Sequence, residues 1–125
     1  MNDVLPPGLI ALINRALASI DHVEVLLLLH REASHPLTTH EIATRLHLTD
    51  DVADAIVAEL AAGGLIAATE TGHRYHASAA DEPAIAALAD AYNARPVTLV
   101  RAIYARPSRA KPLVDRFAPD PQPNG

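Results

Sequence analysis

Acidic and histidine side chains cluster along this chain in ways that chemistry can use. Asp50, Asp51, Asp54 and Glu59 fall close together with no Lys or Arg among them. On the outer face of one helix they would repel phosphate and attract a basic protein surface. His73, Tyr75 and His76 surround Arg74. Two histidines without an adjacent carboxylate or thiol fall short of a metal ligand set, so no metal site is expected. The other histidines, at 22, 30, 35, 40 and 47, are scattered, and no pattern among them makes a switch. Ser, His and Asp occur in no catalytic arrangement. The chain has no Gly-rich phosphate loop and no nucleophile motif, so neither an enzyme nor a cofactor is expected.

The elements that must hold these residues are legible from apolar spacing and from caps. Pro6-Pro7-Gly8 leads into a helix over 9–20, with Leu9, Ile13, Ala16, Leu17 and Ile20 on one face. Asp21 is placed to cap a second helix, 22–33, whose run Val25 to Leu29 marks it as the buried centre. Thr38 and Glu41 have the spacing of a capping box, which opens a helix over 39–47. His47-Leu48 forms the turn. Thr49 caps the next helix, 50–62, with Val52, Ile56 and Leu60 expected on the core side. Gly63-Gly64 ends it.

Residues 65–69 and 73–77 read as two short strands around Glu70-Thr71-Gly72, a hairpin wing. Asp81-Glu82-Pro83 starts a further helix. The stripe Ile85, Leu88, Ala89, Tyr92, Pro96, Leu99, Val100, Ile103 keeps its phase across Pro96. It predicts one long helix over 83–105, kinked at the proline. Ala110, Leu113, Val114 and Phe117 form a last stripe, 109–117. The proline-rich 119–125 reads as a disordered tail.

Composition fits this plan. A chain of 125 residues with 50% apolar content supports one domain, expected over 1–118 with a central unit at 22–77. With only three Tyr and one Phe, the core must be aliphatic. The absence of Cys excludes disulfides and thiolate sites. The longest apolar run is too short for a bilayer, and the start lacks a basic leader. A soluble cytoplasmic protein is the expectation.

Charge is uneven. Residues 1–90 hold four Arg against thirteen Asp and Glu; residues 91–125 hold six Arg and Lys against two Asp. The basic set is Arg95, Arg101, Arg106, Arg109, Lys111 and Arg116. DNA-binding domains are usually basic overall, whereas this chain is basic only at its C-terminal end.

The segment from Val23 to Ala77 resembles the winged helix-turn-helix domains of MarR-type bacterial regulators. The residues that carry the likeness are Glu41-Ile42-Ala43 with Leu46 and Leu48, then Val52, Ile56 and Leu60, then Gly64-Leu65-Ile66. The likeness implies a mainly α fold with a small two-stranded wing and a transcriptional regulator of double-stranded DNA. It also implies a homodimer built from the helices at the two chain ends, 9–20 and 83–117. The helix after the turn would face the major groove with Asp50, Asp51, Ala53, Asp54 and Ala58. Thr39, His40, Thr49, Ala53 and Arg74 are the expected DNA contacts. The alternative is an interaction module that has lost DNA binding and takes a basic protein partner through Asp50, Asp51, Asp54 and Glu59. Base readout favours Arg, Lys, Asn and Gln, so the acidic helix keeps both readings open.

Overall fold

A computed structural model describes residues 5–105 as six helices and one small antiparallel sheet. The stripe at 109–117, the tail at 119–125, and Arg106, Arg109, Lys111 and Arg116 lie outside the described residues. The helices are α1 (Pro7–Ala16), α2 (Ile20–Arg31), α3 (Thr39–Leu46), α4 (Asp50–Ala62), α5 (Glu82–Ala94) and α6 (Pro96–Ala105). The strands are β1 (Ile66–Thr69) and β2 (Gly72–Tyr75).

α2 is the centre of the core, with Val23, Val25, Leu26, Leu28 and Leu29 almost wholly buried. It packs on α3, α4 and β2. The hydroxyl of Ser19, not Asp21, caps it, accepting from the His22 amide at 3.3 Å. The helix therefore starts two residues earlier than the sequence predicts. α1 stops at Ala16, short of the expected Ile20, because Leu17 leaves helical geometry while its side chain stays buried.

α3 opens with the expected capping box: Thr38 accepts from the Glu41 amide, and Glu41 accepts from the Thr38 amide. His47 closes it at φ 59°, in the left-handed region, and the chain reverses into α4. Thr49 caps α4 as expected, accepting from the Val52 amide at 3.2 Å.

Strand β1 pairs with β2 in register Ile66 to Tyr75 through Thr69 to Gly72. Leu37, just before α3, bridges to His73 on the other side of β2 through two backbone hydrogen bonds. The strands come so close there that a Cβ on Gly72 would sit 2.5 Å from the Leu37 carbonyl, and the φ of Gly72 is +150°. Only glycine suits that position.

The single kinked helix expected over 83–105 is two helices. Arg95 adopts φ −139° and ψ 57°, which ends α5. A residue before proline is pushed out of the α region by the pyrrolidine ring, and here it leaves altogether. α5 and α6 both pack against α1. Leu9, Leu12, Ile13, Ile85, Leu88, Leu99 and Ile103 are thereby buried within one chain. The apolar stripes of the helices at the two chain ends thus cover each other. Val97, Val100 and Tyr104 on α6 stay exposed. No helix among the described residues is long and apolar enough to cross a membrane.

Candidate nucleic-acid interface

The start of α3, the turn, α4 and the hairpin bring most of the expected contact residues to one region. Thr39 is half-buried, and its hydroxyl lies 3.1 Å from His73 Nε2 on β2. His40 is exposed, with Nδ1 at 3.0 Å and 3.3 Å from the two oxygens of Asp50. That contact ties the start of α3 to the start of α4. Thr49 is exposed, but its hydroxyl oxygen already accepts the capping hydrogen bond. Arg74 is exposed on β2. It borders a shallow cleft of about 480 Å³ with Ser34, Pro36, Thr69 and Thr71.

Ala53 has to be removed from the contact set. It is fully buried, while Val52, expected in the core, is 42% exposed. The inward face of α4 is Ala53, Ile56, Val57 and Leu60, a spacing of three, four and seven. The sequence also allows Val52, Ile56, Leu60, which drifts around the helix by about 40° per step of four. Ile56 and Leu60 belong to both patterns, so only the packing of α4 on α2, α3 and β1 separates them.

The outward face of α4 shows Asp50, Asp51, Asp54, Ala55, Ala58 and Glu59. Among the described residues, Asp51 and Asp54 have no ion-pair partner. Arg45 and Arg15 form ion pairs with carboxylates outside α4. Arg45 pairs with Glu32 at 3.2 Å. Arg15 donates two hydrogen bonds to Asp81, at 2.9 Å and 3.2 Å, and one to the Gly63 carbonyl. Those bonds from Arg15 hold the Asp81 carboxyl below its ordinary range.

Glu59 has an internal role that the sequence did not disclose. Its Oε1 lies 2.6 Å from Nε2 of the buried His22, whose Nδ1 lies 2.8 Å from the Ser19 hydroxyl. Hydroxyl, imidazole and carboxylate thus stand in line. The Ser19 hydroxyl is also the cap of α2, so the line joins the start of α2 to α4. The spacing Ser19-x-x-His22 was a legible signal for the cap, with His in place of the usual Glu or Gln. Glu59 is thirty-seven positions away and could not be found that way.

Histidines 73 and 76 do not meet at a common site. His73 turns to Thr39, and His76 is exposed. Tyr75 donates to Glu82 at 2.8 Å and stands edge-on to His30. Burial first, then that carboxylate, pushes the Tyr75 hydroxyl upward. Tyr92 donates to Glu24 at 2.8 Å, and this bond, helped by burial, raises the Tyr92 hydroxyl in the same way. Both tyrosines therefore act as fixed hydrogen-bond donors that brace the core from α5 and β2. Compared with protein-family models, curated proteins and solved structures, the chain has no match.

Proposed function

We propose that this chain is a DNA-binding transcriptional regulator of winged-helix type. The observation that carries the reading is the joint placement of α3, α4 and the hairpin. Two capped helices meet at a tight left-handed turn, α4 turns one face outward, and Leu37 anchors the hairpin against the start of α3. In DNA-binding domains of this kind, the second helix enters the major groove and the first crosses the backbone. Thr39, His40, Thr49 and Arg74 supply the contacts on that side. Arg95 and Arg101, with the basic residues beyond 105, add positive charge at the other end of the chain. Pairing of two copies through the exposed α6 residues belongs to the same reading.

A second reading has its own observation. Asp50, Asp51, Asp54 and Glu59 are all exposed on α4, and no Lys or Arg neutralises the three aspartates among the described residues. Their place near the helix start suits the helix dipole, by about 0.3–1 kcal/mol each, whether or not they meet a partner. An interaction module would use them on a basic protein surface. Titration of random-sequence duplex at low salt separates the two. Binding in the micromolar range supports the regulator, and none at high micromolar protein decides for the module.

A further inference from the structure

We propose that the cleft between α2, the end of α3 and α5 binds a small linear zwitterion: a carboxylate and an ammonium joined by a short apolar chain. The proposal stands apart from the DNA reading and uses none of its contact residues. The cleft measures about 250 Å³. Glu24, Leu27 and Arg31 line it from α2, and Tyr92 from α5. Arg45, Leu46 and His47 line it from the end of α3.

Spacing along α2 sets the chemistry. Positions i, i+3 and i+7 share one face of a helix, so Glu24 and Arg31 stand two turns apart with Leu27 between them. Seven residues rise by roughly 10 Å. Among the described residues, neither Glu24 nor Arg31 has an ion-pair partner. Tyr92 donates to Glu24 at 2.8 Å, which uses one acceptor position of a carboxylate that has several. Arg31 is exposed and lies close enough to the Tyr92 hydroxyl to act on it electrostatically. Arg45, the other cation of the lining, is balanced by Glu32 at 3.2 Å. Leu27 is the most exposed leucine of the buried run in α2, and Leu46 is half-buried.

Such a cleft offers one cation, one anion and a leucine between them. A simple anion meets repulsion from Glu24, and a simple cation meets repulsion from Arg31. A ligand carrying both charges satisfies both ends. Its carboxylate suits the planar fork of Arg31, which donates two parallel hydrogen bonds. Its ammonium donates to the remaining lone pairs of Glu24, and the Tyr92 ring adds attraction for a cation. Its methylenes cover Leu27 and Leu46. The two-turn separation selects a chain with its charges at opposite ends, an ω-amino acid, over a head group that carries both on one carbon.

The test titrates the isotope-labelled full chain with 6-aminohexanoate at about pH 7.5, where amine and carboxylate are both ionised. Amide shifts in the NMR spectrum are the readout. Saturable shifts at Leu27, Arg31, Leu46 and Tyr92 are expected, with a Kd in the millimolar range that suits so small a ligand. Hexanoate and hexylammonium, each lacking one charge, should bind at least about fivefold more weakly at those amides. Arg31→Gln should weaken 6-aminohexanoate by a similar factor and not weaken hexylammonium. Glu24→Gln, which keeps an acceptor for Tyr92, should weaken 6-aminohexanoate and not weaken hexanoate. The same spectra report folding, and the three probes on the wild type carry the test if a variant unfolds. No saturable shift at those amides by about 50 mM ligand overturns the proposal. So does equal binding of the three probes, or binding that survives both substitutions. The outcome bears on this cleft alone and leaves the question of DNA binding to the duplex titration.

Discussion

His22 Nε2 and Glu59 Oε1 are 2.6 Å apart, and the two partners are unequally buried: the His22 side chain is 8% exposed and that of Glu59 54%. The asymmetry sets what each substitution does. Glu59→Ala strands a buried imidazole N–H, which costs about 1–3 kcal/mol, far more than truncation of an ordinary surface glutamate. Glu59→Gln keeps an acceptor and should recover most of the loss. Thermal or urea unfolding of both variants measures this; equal, negligible effects would show that water replaces the carboxylate without penalty.

Neighbouring positions on α4 should respond in opposite ways. Ala53→Leu forces three extra carbons into a filled core and should destabilise by about 1–3 kcal/mol. Val52→Ala, on the exposed side, should stay within about 0.5 kcal/mol. Denaturant midpoints read both, and the reverse ranking would restore Val52 to the core.

Asp81 links α5 to α1 through Arg15. Its carboxyl is held below the ordinary value of 3.8, chiefly by the hydrogen bonds from Arg15. A lowered folded-state value means stability that is present at neutral pH and is lost as pH falls through the acid range. The pair is partly exposed, so the gain should be below about 1 kcal/mol. Asp81→Asn should therefore lower the melting temperature at pH 7, and the gap from the wild type should close in acid. A gap independent of pH would assign the effect to packing.

Gly72 meets the Leu37 carbonyl too closely to carry a side chain. Gly72→Ala should destabilise by more than about 1 kcal/mol, since alanine cannot take that conformation without strain. It should also loosen the hairpin from α3, visible as faster amide exchange at Leu37 and His73. Unchanged exchange would mean that the bridge does not depend on this approach.

Charge on α4 separates the two functional readings. Asp50→Asn/Asp51→Asn/Asp54→Asn should raise non-specific DNA affinity and steepen its fall with salt if the helix faces DNA. If it faces a basic protein, DNA affinity should stay negligible and partner association should slow. Arg74→Ala tests the hairpin in the opposite sense: weaker DNA binding in the first reading, little change in the second.

Local physics made much of the architecture legible in the sequence. The capping box at Thr38 and Glu41, the cap at Thr49, the glycines after α4 and the hairpin around Thr71 depend on neighbours a few positions apart, and the structure has them where the sequence puts them. Tertiary packing decided the rest. Periodicity could not tell Val52 from Ala53, because Ile56 and Leu60 satisfy either face until α4 meets its neighbours. It could not break the helix at Arg95, because an apolar stripe keeps its phase whether or not the backbone turns between its halves. It also gave no reason to join His22 to Glu59, His40 to Asp50, or Thr39 to His73. Those relationships span ten to thirty-seven positions, and only the folded chain sets such distances.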